Sequence, residues 1–138
     1  MTHQHSALSL MIGRTLMGVL FFVSGLNKIG QFTSIASFMA SKGLPAAEVL
    51  LAATIVLEVC GSLALIAGWR VRYVAWTLLI FTAGAAVIFH AFWAAEAATY
   101  QNQLNHFLKN VAIMGGLLCL STVGSGSWGI DERKPEKE

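Results

Sequence analysis

Residues 46–68 read AAEVLLAATIVLEVCGSLALIAG, and after four further residues positions 73–95 read YVAWTLLIFTAGAAVIFHAFWAA. About 20 helical residues cross roughly 30 Å of hydrocarbon, so each run is long enough to span a bilayer. The link between them, WRVR at 69–72, is too short for anything but an antiparallel return. Outward from this hairpin, two more apolar runs lie at about 7–26 and 104–124, which makes four spans. Composition agrees: of 138 residues, 56% are apolar and 12% charged, with a mean hydropathy of +0.66. Soluble domains carry about 25% charge. The fold class expected is all-α, an integral membrane bundle of four transmembrane helices forming one domain over 1–138.

The charge pattern orients this bundle. An even number of spans puts both termini and the 69–72 link on one side, with Arg70, Arg72, Arg133, Lys134 and Lys137. The other side has Lys28 and Lys42, with Lys109 just inside the fourth span. Positive-inside reasoning then gives an N-in/C-in protein of the bacterial cytoplasmic membrane. The first segment lacks a basic start and carries Arg14 within its apolar run, so it is expected to be retained rather than cleaved as a signal. Between spans one and two, Phe32, Ile35, Phe38 and Met39 recur at helical spacing, which predicts a short amphipathic helix on the outer surface. Gly43-Leu44-Pro45 would end it, with Pro45 in the first turn of span two. Residues 129–138 read as a mobile cytoplasmic tail.

Several function classes drop out. A net charge of +2, with the basic residues at segment ends, makes no nucleic-acid surface. Cys60 and Cys119 form no CxxC and no zinc spacing, and read as small buried hydrophobes that would touch if spans two and four adjoined. His90 and His106 do not form the paired ligand set of a b-type haem unless both turn inward. No cofactor is evident by motif.

What remains is the set of polar residues inside the spans, which are costly at membrane depth and usually face a bundle interior or a cavity. Counted from the cytoplasmic ends, Arg14 falls about 10 Å deep and Glu58 about 15 Å deep, close enough to pair. His90 falls at about 26 Å, and Lys109 with Asn110 at about 22 Å. Lys28 and Glu48 mark the outer mouth, about 30 Å up. The expected site therefore has an inner layer of Arg14 and Glu58 and an outer layer of His90, Lys109 and Asn110, with Lys28 guarding the mouth. Such layers either fix packing or bind a ligand. A quinone suits the second reading: its carbonyls accept from His, Lys or Asn, its ring stacks on Phe or Trp, and imidazole or carboxyl groups exchange its protons.

The order of motifs also carries a resemblance. Arg14 with Leu16-Met17 opens span one, and Phe22-x-Ser24-Gly25-x-x-Lys28-Ile29 closes it. Then come Gly43-Leu44-Pro45, Leu57-Glu58-x-x-Gly61, Ala67-Gly68, Arg70, Arg72, Phe89-His90 and Trp93. Phe107-Leu108-Lys109-Asn110, Gly115-Gly116 and Gly124-x-Gly126-Ser127-x-x-x-Asp131 complete the series. This pattern, over about residues 11–131, resembles the DoxX family of small four-helix bacterial inner-membrane proteins. The resemblance implies a role near quinones, catechols, thiols or oxidative stress, and its polar positions map onto Arg14, Lys28, Glu58, His90, Lys109 and Asn110. Some relatives serve quinone-linked thiosulfate oxidation, but this chain has neither the extra soluble domain nor the cysteine cluster of that branch.

The reading that follows is a quinone or similar small aromatic metabolite held in an intramembrane polar pocket, in redox balance or detoxification. Electrons, if any move, come from a redox enzyme partner. The alternatives are a non-catalytic scaffold or accessory subunit of a redox complex, and a small-solute transporter acting as a homo-oligomer.

Overall fold

A computed structural model describes residues 2–132. Helices account for nearly all of it: α1 Thr2–Gly30, α2 Phe32–Ser41, α3 Ala47–Ala67, α4 Val71–Phe89 and α5 Ala97–Val123. Short 3-10 turns lie at Phe92–Ala94 and Ile130–Glu132, and no strand is present among the described residues. Four helices are long and apolar enough to cross a membrane, and the shorter α2 is the expected helix of the first connection.

The ends of these helices follow from local chemistry. Gly68 adopts φ 75°, its N–H donating to Leu65 O and the N–H of Trp69 to Ala64 O, so α3 closes on a glycine whose positive φ carries no Cβ penalty. Arg70 also takes a positive φ, 47°, and the chain reverses into α4 within a few residues. α3 begins at Ala47, so Pro45 lies just outside the helix rather than in its first turn. The third span is not continuous over 73–95: α4 ends at Phe89, with His90 as its cap, and the chain continues into the 3-10 turn. The first span is longer than 7–26, because its polar beginning is helical from Thr2 and its end, with Lys28, stays helical to Gly30.

The bundle is made of two helix pairs. α1 packs along α3 and α4 along α5, and both contacts are far more extensive than those between the pairs. The α1–α3 seam is close because glycines face it: a Cβ on Gly18 would meet Ile66 and the carbonyl of Ser62, and one on Gly25 would meet Val59. Within lipid such contacts hold helices by van der Waals packing, since apolar burial from water is no longer available as a driving force.

Two clusters fill the interior. Phe21, Leu65, Val71, Ala75, Leu78, Leu117 and Leu120 join all four spans near the end that carries the 68–71 turn, here called the N-terminal end. Ala36, Met39, Ala47 and Leu51 form a second cluster beneath α2 at the opposite end. Between the clusters the two pairs do not fill their shared space.

The chain that follows α5 returns to the N-terminal end. Asp131 accepts from the backbone N–H of Arg70 at 2.8 Å and of Val71 at 3.2 Å, and its own N–H donates to Gly68 O at 3.1 Å. The segment expected as a tail from 129 is therefore tied to the α3–α4 turn through Asp131. Arg133, Lys134, Lys137 and the remainder of that segment lie outside the described residues.

Candidate functional site

Glu58 sits in the middle of α3 and is 3% exposed. A carboxylate at that depth requires a partner, and α1 supplies it. Lys28 Nζ lies 2.8 Å from Glu58 Oε2 and 2.9 Å from Oε1, and it donates to Ser24 Oγ at 2.7 Å. Ser24 in turn donates to Glu58 Oε1 at 3.1 Å. Ser24 and Lys28 are one helical turn apart, so a single stripe of α1 presents both to α3. The absent Cβ of Gly25, between them in sequence, lets the backbone of α1 come close to Glu58.

This network forms one wall of a cavity of about 350 Å³ between the two helix pairs. Leu20, Phe21, Leu51 and Phe81 give it an apolar interior, Thr54 adds a hydroxyl from α3 itself, and Thr82, His90 and Asn110 bring polar groups from the other helix pair. Ile35, Phe38 and Met39 of α2 roof it, with the Phe38 ring 5.9 Å from that of Phe89 on α4. The amphipathic helix thus turns its apolar face onto the cavity as well as lying across the end of the bundle. Asn110 and Thr54 have no side-chain partner among the described residues, so their hydrogen-bonding groups are free toward the cavity. A site of this size, largely apolar with a few convergent polar groups, is how small-molecule pockets are generally built.

His90 occupies the break after α4 and holds the cavity wall from there. Its Nδ1 lies 3.0 Å from Gln103 Oε1, and its ring stacks on His106 with centroids 4.9 Å apart. Phe92, Trp93, Tyr100 and Phe107 pack edge to face beside this pair and stiffen the turn into α5.

Four of the expected site residues therefore meet at one cavity: Lys28, Glu58, His90 and Asn110. Two do not. Lys109 is exposed on the outside of α5, where a long side chain reaches the interface along its own stem. Arg14 does not pair with Glu58. It is 1% exposed at the N-terminal end, its guanidinium packed on Gly68 and Gly129, with Nε and Nη1 buried and without acceptors. Lys28, placed by the sequence at the mouth beside Glu48, instead turns inward as the partner of Glu58, while Glu48 stays exposed.

The cysteines also depart from expectation. Both are exposed, Cys60 on a groove between α3 and α4 and Cys119 on a groove between α1 and α5. Ser24, Thr54 and Gln103 join the site without being among the residues the sequence marks for it. Ser24 had a signal in its i,i+4 spacing to Lys28, whereas Gln103 becomes visible only once α4 breaks at His90.

Comparison with known proteins agrees with this architecture. The DoxX family model matches residues 9–91, which run from within α1 to just past the break at His90. Inner membrane protein YphA of Escherichia coli strain K12 is 30% identical over 124 residues, covering 90% of this chain and 89% of YphA. Inner membrane protein YqjF of the same organism is 33% identical over 121 residues, covering 88% of each chain. No solved structure matches the chain. With the family model spanning well over half of the sequence and two relatives aligned along most of it, the chain belongs to the DoxX family.

Proposed function

We propose that this protein is an inner-membrane binding protein for a small, flat, uncharged aromatic with two oxygen functions, a quinone or its reduced catechol-like form. The observation that carries the reading is an ion pair facing an otherwise apolar cavity, opposite the Asn110 amide, which has no partner among the described residues.

The charge balance selects the ligand class. Lys28 and Glu58 cancel each other, so an anionic ring meets the carboxylate and a cationic one meets the ammonium, each unfavourably in a low dielectric. A neutral ring meets neither cost. Asn110 presents both a donor and an acceptor, Thr54 a hydroxyl, and His90 retains Nε2 while Nδ1 engages Gln103. Carbonyl oxygens of the ligand would accept from these groups, and Phe81 and Phe89 supply ring contacts. Imidazole is also the side chain suited to exchanging protons with such a ligand near neutral pH. A quinone supplies reversible two-electron chemistry when bound, and electrons would reach it from a partner enzyme in the same membrane.

The test is titration of the purified protein with a short-chain naphthoquinone, followed by quenching of intrinsic fluorescence and by native mass spectrometry. Asn110→Leu should weaken binding about ten-fold, the worth of one hydrogen bond at roughly 1.4 kcal/mol, and Glu58→Gln should weaken it by a similar factor by leaving the Lys28 ammonium uncancelled at the cavity wall. Lys109→Ala should leave binding unchanged. Equal binding by all four proteins would refute the proposal.

One observation favours a second reading, that of a scaffold. All three protons of Lys28 find acceptors within the protein, as in a pair that only sets packing. In that case Glu58→Gln lowers stability in detergent while the parent protein binds no quinone at all.

A further inference from the structure

On the outer face of the α3–α4 seam, away from the roofed cavity, lies a groove of about 350 Å³. Gly61 and Ala64 form its floor, Val56 and Cys60 one wall, and Tyr73 and Thr77 the other. From the end of α3 at Ala67 back to Val56 it follows the helix for about 17 Å of rise. One leaflet contributes about half of a 30 Å hydrocarbon core, so the groove has the length of an acyl chain in the leaflet on the N-terminal side.

The mouth of this groove is charged. Arg70 lies there with its guanidinium 5.6 Å from the centroid of the Trp69 ring, and Tyr73 stands beside it. Arg70 and Tyr73 also line an adjoining polar recess of about 180 Å³ that contains Arg72, Ser125 and Asp131. The Asp131 carboxylate is committed to the backbone N–H groups of Arg70 and Val71. Among the described residues neither guanidinium has a carboxylate partner, since the ion pair found there is Lys28–Glu58. Ser125 is 4% exposed and its Oγ has no partner, which adds an unsatisfied hydroxyl to the recess.

We propose that this seam is a binding site for an anionic phospholipid, with the phosphodiester against Arg70 and Arg72 and one acyl chain in the groove. Among the described residues no carboxylate lies within ion-pair distance of either guanidinium, and basic recesses between helices at the membrane boundary attract anionic headgroups. A zwitterionic lipid brings its own ammonium and gains less. A free phosphate would use the recess alone and leave the apolar groove empty, whereas a lipid occupies both, which are continuous through Arg70 and Tyr73. Trp69 and Tyr73 then sit at the depth where amphipathic rings favour the headgroup region.

The experiment is native mass spectrometry of the full chain in detergent, titrated with phosphatidylglycerol or phosphatidylethanolamine of the same acyl composition. The first phosphatidylglycerol should bind about thirty-fold more tightly, from two guanidiniums near the surface. Arg70→Gln with Arg72→Gln should abolish that preference, and Arg72→Gln alone, which leaves the turn intact, should lower it about five-fold. Cys60→Phe, filling the groove from an exposed position, should weaken both lipids while keeping the preference. Inorganic phosphate should not displace the lipid. No preference in the parent protein, a preference retained in the Arg72→Gln and double variants, or displacement by inorganic phosphate would each overturn the proposal.

Discussion

Lys28 carries three protons on Nζ and has three acceptors, Ser24 Oγ and both oxygens of Glu58, at 2.7, 2.9 and 2.8 Å. Glu58 is 3% exposed and the Lys28 side chain 22%, so the carboxylate loses more if the pair is broken. Removing one partner of a buried pair leaves an uncompensated charge and costs about 3–5 kcal/mol, while replacing both with apolar groups is often neutral. Lys28→Met should accordingly destabilise the protein in detergent by about that amount, and adding Glu58→Leu should recover most of the loss. Thermal unfolding followed by circular dichroism reads this directly. If the two losses simply add, the pair is not a coupled unit and the wall of the cavity is held by something else. Arg14 is the contrasting residue: as buried as Glu58, it has no acceptor for Nε or Nη1, and it packs against Gly68 and Gly129 from about four turns further back along α1.

At the scale of the helices, two contacts shape the cavity. The first is the α1–α3 seam, where Gly18 and Gly25 admit Ile66 and Val59. Gly25→Leu should push α1 off α3, costing about 1–3 kcal/mol by overpacking, and should separate Lys28 from Glu58. Gly13→Leu serves as its control, because a Cβ there meets nothing. Leucine is the better helix former, so propensity alone would stabilise both variants, and a loss of stability in both alike would show that close packing at Gly25 is not what holds the seam. The second contact is the roof, where Phe38 of α2 lies against Phe89 of α4. Such ring pairs are worth about 0.5–1.5 kcal/mol beyond their burial, so α2 is held by a modest margin. In a background with Cys60 and Cys119 changed to serine, a cysteine at Thr54 should label slowly with a maleimide. Phe38→Ala should speed that labelling several-fold, and an unchanged rate would mean that the cavity opens by another route.

For the whole molecule, the arrangement as two pairs explains why the interior is filled at one end and open at the other. The seven-residue cluster around Leu65, Leu78 and Leu117 ties the pairs together near the N-terminal end. Toward α2 the space between the pairs remains as the cavity. α1 and the segment that follows α5 meet at the filled end, where Leu10 lies against Gly126 and Arg14 against Gly129. With Arg70 and Arg72 at that end, the proposed orientation faces it to the cytoplasm. A fluorescent protein fused to the C-terminus should therefore light up, and a periplasmic phosphatase fused there should stay inactive. A cysteine at Ser41, beneath the opposite end, should be reached by a membrane-impermeant maleimide from outside intact cells. The reverse pattern would invert the orientation and leave the fold untouched.

Much of this protein is legible in its residues taken in order. The length of the apolar runs and the scarcity of charge decide four crossings, the short 69–72 link decides that α3 and α4 return on each other, and the period of Phe32, Ile35, Phe38 and Met39 decides α2. These depend on local properties, namely run length, turn length and helical period. The depth of each polar residue was legible only approximately, because a rise count needs a starting boundary. Taking span one from residue 7 to 26 leaves Lys28 outside it and puts Arg14 within about 5 Å of Glu58 in depth. The helix runs instead from Thr2 to Gly30, and its register against α3 is set by side chains meeting across the seam at Gly18 and Gly25. That choice belongs to packing between segments distant in sequence, and no periodicity within either segment encodes it. It is why the tertiary structure decides that Lys28 rather than Arg14 neutralises Glu58, that Lys109 points away while Asn110 faces inward, and that a break at Phe89 brings His90 onto Gln103 and His106.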